Sequence, residues 1–169
     1  DKELYHMTDR FCAFLTNGLF VTDKTGNSHL EYKPCCQYRS SWKIPKIGDR
    51  ERSWTEYCED CRTQELDGRN KSLRHSANEL ADSIGLVDDH RIIWLEIDYS
   101  NACNAACGMC GPMFSSTWAK QERLRGNDPI VPSVRFDQFI AEMDSLDLSL
   151  VQTIKFRGGE PFMLDYHKK

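Results

Sequence analysis

The sequence predicts an α/β fold, a parallel strand–helix–strand unit in the C-terminal half, preceded by a small cysteine-rich β-hairpin module. Two short apolar runs, "RIIWLEID" at 91–98 and "LVQTIKF" at 150–156, have the length and β-branched content of buried strands. Between them, "FDQFIAEMDSL" sets Phe136, Phe139, Ile140 and Met143 at i, i+3, i+4 and i+7, one apolar face of a helix. Strand, long crossover and strand make a right-handed βαβ unit. Upstream, "CAFLTNGLFVT" is rich in β-formers, "DKTGN" supplies turn residues, and "HLEYKPCC" returns toward the first cysteine.

The remaining elements follow in order. "SSWKIPKIGDRERSW" reads as a loop, with Pro45 and Gly48 breaking any regular pattern. "YCEDCRTQELDGRNKSLRHS" holds a CxxC turn and then a polar stretch interrupted by Gly68. Residues 76–90 form a connector that can be helical at "ANELADSIG". "FSSTWAKQERLRG" can be helical from Ser115 or Ser116 and closes before Gly126. The expected division is therefore a module over 1–75, the connector 76–90, and the α/β unit over 91–169.

Composition excludes some function classes. The 169 residues carry a net charge of -4, with no global pull toward nucleic acid or membrane. No apolar run approaches the ~20 residues of a membrane span. The start, "DKELYHMTDR", lacks the pattern of a secretory signal and lacks an initiator Met. The expected location is cytoplasmic, with no membrane or nucleic-acid partner. The basic run "GRNKSLRHS" has no interleaved aromatics for stacking bases and reads as a solvated face, or as an anchor between the two parts.

Eight cysteines in such a chain point to metal rather than disulfides, which stay open for an oxidising compartment. Thiolates are soft ligands that suit zinc and iron–sulfur centres. "CNAACGMC" places Cys103, Cys107 and Cys110 in one CxxxCxxC loop directly after the first predicted strand. Structural zinc usually takes two knuckles from opposite sides of the metal, or adds a nearby His. Three thiolates leave an open coordination position, where chemistry happens.

"CNAACGMC", followed one βαβ unit later by "FRGGEP", resembles the radical S-adenosylmethionine (SAM) enzymes. The resemblance implies a partial TIM-like (β/α)6 barrel, of which this chain shows the first two strands. It implies a [4Fe–4S] cluster held by Cys103, Cys107 and Cys110, with SAM on the fourth iron, and SAM contacts from Gly158, Gly159 and Glu160. It further implies reductive cleavage of SAM to a 5′-deoxyadenosyl radical that takes hydrogen from substrate, and an electron donor of flavodoxin or ferredoxin type. The chemistry of the residues agrees: adjacent glycines let backbone approach a ligand, and Glu160 offers a charge-assisted acceptor for an ammonium. Where the family often has an aromatic before the third cysteine, this chain has Met109.

Cys12, Cys35, Cys58 and Cys61 resemble the twitch or SPASM auxiliary-cluster module of such enzymes. The shared features are a cysteine opening a hairpin, the turn Gly26, a "PC" on the return strand and a later CxxC. That implies a second iron–sulfur cluster and, at family level, a peptide or protein substrate. A structural zinc on the same four thiolates stays open, as does a non-catalytic zinc-binding adaptor. Cys36 can replace Cys35 only from the other face of the strand, and His29, near the hairpin, can serve as a ligand but reads better as an ordinary exposed turn histidine. A barrel of about six strands also implies further strands, on a continuation or a partner chain, without which this chain is expected to be inactive.

Overall fold

The computed structural model describes residues 12–23, 26, 28–43, 55–68, 71–85 and 91–164. The expected loop around Pro45 and Gly48, Arg69 of the basic run, the end of the connector and most of "MLDYHKK" lie outside them. A single four-stranded sheet organises the chain, in the order β2-β1-β3-β4. Its strands are β1 (Gly18–Thr22), β2 (Glu31–Lys33), β3 (Trp94–Asp98) and β4 (Thr153–Phe156). The hairpin β1–β2 is antiparallel as expected, and β3 and β4 are parallel with Glu96 opposite Lys155.

One pairing has no counterpart in the sequence reading. β1 runs parallel to β3 in register from Gly18–Trp94 to Thr22–Asp98, so the hairpin and the βαβ unit share one sheet. Three parallel strands therefore stand side by side, with β3 at their centre. Strict alternation divides their side chains between two faces. On one face Leu19, Val21, Leu95 and Ile97 pack with Phe139 and Met143 of the helix Phe136–Asp144 (α5). Tyr99 stacks on Phe139 with ring centroids 4.4 Å apart. On the other face lie Phe20, Trp94, Glu96 and Lys155.

Three local assignments change. "CAFLTN" is not strand: Ala13–Asn17 forms a short helix (α1), and β1 starts at Gly18. The polar stretch after Cys58 is helical over Glu59–Asp67 (α2), opened by Glu59 and Asp60 and closed by Gly68 in the left-handed region. The helix Leu73–Ser83 (α3) crosses the expected boundary at 75/76. Ser72 caps α3 by accepting the His75 N–H at 3.1 Å. Its Ala77 and Ala81 pack on Ala13, Phe14 and Leu15 of α1 in a second, smaller core. Small residues at i and i+4 let the two backbones approach. α3 thus belongs structurally with the first cysteines. Ser116–Leu124 (α4) follows the cysteine loop as expected.

Candidate functional site

The chemistry-bearing residues gather in two places. At the first, Cys12, Cys35, Cys58 and Cys61 all line one small cavity, closed by Phe14, Leu15, Tyr38 and Leu73. Each cysteine comes from a different kind of element end. Cys12 immediately precedes α1, Cys35 follows β2, Cys58 ends the 3-10 turn Glu56–Cys58, and Cys61 sits in the first turn of α2. Burial pushes the Cys12 thiol up to about 12, and burial likewise raises Cys35 and Cys61.

Opposing that burial, backbone amides point at the sulfurs. Leu15 and Phe14 N–H groups meet Cys12, Gln37 meets Cys35, and Arg74 and Leu73 meet Cys61. Such N–H groups favour a thiolate, and the same contacts tune sulfur-bound metal centres. Without metal the thiols behave as donors: Cys61 Sγ donates to Gln37 Oε1 at 3.1 Å. The neighbouring basic run pairs with carboxylates of the flanking helices where it is described. Arg74 binds Glu65 at 2.6 Å and Lys71 binds Glu79 at 2.5 Å, with His75 3.3 Å from the same Glu79.

Cys36 turns the other way. It lies beside Glu96, Arg157 and Lys155, where burial raises its thiol first and the Glu96 carboxylate next. Both cysteines lie in the turn past the end of β2, and of the two only Cys35 lines the cavity. His29 is not among the residues lining it.

At the second place, the CxxxCxxC loop runs from the carboxyl end of β3 into α4. Cys107 is exposed, Cys103 and Cys110 are half-buried, and Met109 is 95% exposed. Hydroxyls of the first turn of α4 clamp the loop backbone. Ser115 Oγ donates to the Ala105 carbonyl at 2.6 Å and accepts the Trp118 N–H at 3.3 Å, joining loop and helix cap in one group. Thr117 Oγ1 donates to the Cys103 carbonyl at 2.9 Å, and Trp118 Nε1 to the Cys107 carbonyl at 2.9 Å. Ala105 N–H reaches Cys103 Sγ at 3.4 Å. The "SSTW" clamp is absent from the sequence reading; the polar N-cap Ser115, five positions after the third cysteine, is the signal that announces it.

The Gly158–Gly159–Glu160 turn docks on the start of this loop. Gly159 N–H donates to the Ser100 carbonyl at 2.8 Å and Glu160 N–H to the Ala102 carbonyl at 2.7 Å. A Cβ on Gly159 would stand 2.1 Å from the Ala102 oxygen, which no side chain can occupy. Gly158 has φ +107, a conformation open in practice only to glycine. Both glycines thus have a demonstrable backbone reason. The Glu160 carboxylate accepts the Phe162 N–H at 3.3 Å, capping the 3-10 turn Pro161–Met163.

The donor chemistry fits soft metal at both places, and the fit is incomplete in one respect. Among the described residues no three His, Cys, Asp or Glu side chains stand close enough together to hold a metal ion as placed. The first cavity measures about 20 Å³, room for roughly one water-sized sphere. That volume is closer to a single ion than to a four-iron cube.

No protein-family model matches the chain, and no characterised protein and no solved structure matches it. Among the described residues no helix is long and apolar enough to cross a membrane.

Proposed function

We propose that this chain carries the SAM-binding face of a radical SAM enzyme together with an N-terminal auxiliary metal site. The observation that supports it most is the docking of Gly159–Glu160 on Ser100–Ala102. This joins the glycine–glutamate turn of β4 to the CxxxCxxC loop of β3, at the carboxyl ends of neighbouring parallel strands. Ligand sites in parallel α/β folds collect at such ends.

Cys103, Cys107 and Cys110 would hold a [4Fe–4S] cluster, and Gly158, Gly159 and Glu160 would line the SAM amino group. When bound, that pair supplies the reductive cleavage of SAM and the hydrogen-abstracting radical. The chain's own part is to place and to shield. Ser115, Thr117 and Trp118 fix the carbonyls of the cysteine loop and so set the directions from which its three thiols approach. The two glycines bring backbone close without a Cβ in the way. Glu160 offers its carboxylate to an ammonium. The electron donor would be a flavodoxin- or ferredoxin-like protein, the substrate a peptide or protein, and the location the cytoplasm. The remaining strands of a (β/α)6 barrel would pair onward from β4, which has one strand neighbour among the described residues.

For the first site the size of the cavity favours a second reading beside an iron–sulfur cluster. Four thiolates around room for one ion suit structural zinc, and zinc there is compatible with catalysis at the other loop.

Glu160→Gln tests the SAM assignment. The amide keeps the shape and loses the charge, so SAM should bind about 1–3 kcal/mol more weakly with the cluster retained. Titration of SAM against the cluster's paramagnetic resonance signal reads this. Unchanged affinity would reduce Glu160 to its turn-capping role.

A further inference from the structure

The second face of the sheet, where Trp94 packs on the first core and Cys36 stands beside the cations, buries a carboxylate at its centre. Glu96 on β3 is 2% exposed, with Phe20 of β1 opposite on one side and Lys155 of β4 on the other. Arg157 Nη1 lies 3.1 Å and Lys155 Nζ 3.4 Å from the same oxygen, Glu96 Oε1. The Arg157 guanidinium also sits 5.9 Å from the centre of the Phe20 ring. Burying such a charge is costly, and an apolar residue would usually pack there at no loss. The charges therefore invite a use beyond packing.

Their unused donors define it. The Arg157 side chain spends one nitrogen on Glu96, and neither it nor Lys155 makes another hydrogen bond among the described residues. Both cations remain reachable, with side chains 38% and 48% exposed. Glu96 below and the Phe20 ring beside it hold the guanidinium in place before any ligand arrives. An Arg fork with free N–H groups, next to an ammonium, matches the two oxygens of a carboxylate or phosphate. It also follows β4 directly and precedes the Gly158 turn.

We infer that Arg157 and Lys155, backed by Glu96, form a binding site for an oxyanion. Asp98, also buried on this face, lies in the field of Arg157. With Glu31 and Lys33 of β2 on the same face, three acids stand against three bases, so the anion is held by direct donor contact and not by long-range attraction. Within the proposed enzyme the anion would be a group of the substrate; that last step rests on the proposed function, and the binding does not.

The test follows the arginine Nε–Hε signals of the ¹⁵N-labelled chain as purified, at constant ionic strength. Arg157 is assigned from the signal missing in Arg157→Lys, and the probes are N-acetylglycine and inorganic phosphate. The Arg157 signal should shift saturably, and Lys155→Gln should weaken that binding about tenfold with other signals unmoved. Saturation by N-acetylglycine alone identifies a carboxylate group, and by phosphate alone a phosphate. If the Arg157 signal stays still, or drifts linearly as that of the exposed Arg135 does, the site is not there. Neither probe needs a cluster, so the outcome is separate from the fate of the metal assignments.

Discussion

The two cysteine regions solve opposite problems. Around the first cavity the thiols are core residues: Cys12 and Cys61 are 7% exposed, and Cys12 packs with Phe14, Ala77 and Ala81. In the loop after β3 the cysteines stand near solvent, and the neighbouring hydroxyls and glycines hold only the backbone. Buried side chains shape the first region. In the second, backbone hydrogen bonds shape the loop and leave its thiols near solvent. A structural metal suits the former and an open, reactive one the latter.

The largest expected effect breaks the second region alone. Gly159→Ala forces a Cβ against the Ala102 carbonyl, a backbone atom that cannot rotate away. It should cost about 3 kcal/mol and separate the β4 turn from the cysteine loop. Denaturant unfolding measures the cost, and hydrogen exchange at Gly159 and Glu160 should rise while the amides of β1 stay protected.

Next comes pH, which acts on the first region. The Cys12 thiol goes from 9.0 to about 12 on folding of the metal-free chain, because burial disfavours the thiolate. Below pH 9 both states keep the proton and its contribution to stability is complete. Between 9 and 12 the unfolded chain ionises first, so stability falls by about 1.4 kcal/mol per pH unit for this thiol. The fall should be visible in unfolding curves at pH 9, 10 and 11. It should become shallower in Cys12→Ala, where the raised Cys35 and Cys61 still contribute, and stay unchanged in Cys107→Ala.

The smallest effect separates the regions without metal. Cys12→Ala removes a buried sulfur and should cost about 1 kcal/mol. Cys107→Ala changes an exposed side chain and should stay within about 0.5 kcal/mol. Equal costs would mean that the loop cysteines are packed as well.

The strands and the later helices were legible because their signals are local. β3, β4, α4 and α5 announce themselves through apolar runs, caps and period. α1 was not, since Phe14 and Thr16 are good β-formers; packing on α3 overrides that preference. α2 has no apolar stripe, although Glu59, Asp60 and Gly68 are recognisable end signals. The pairing of β1 with β3 joins residues 76 positions apart, Gly18 with Trp94, and no local pattern encodes it. The choice of Cys35 over Cys36 has no local signal: both lie past the end of β2 at Lys33, and the turn there sends Cys35 to the cavity and Cys36 toward Glu96. The Glu96–Arg157 pair needs the register of two parallel strands before its members become neighbours.

Metal analysis of the anaerobically purified chain, wild type beside Cys107→Ala, tests the central claim that these are two metal sites of different kinds. Iron, acid-labile sulfide and zinc are counted per chain, with absorbance near 400 nm. The wild type should be brown, and Cys107→Ala should lose about four irons while keeping whatever the first cavity holds. A colourless wild type with zinc alone, unchanged in Cys107→Ala, would contradict the account.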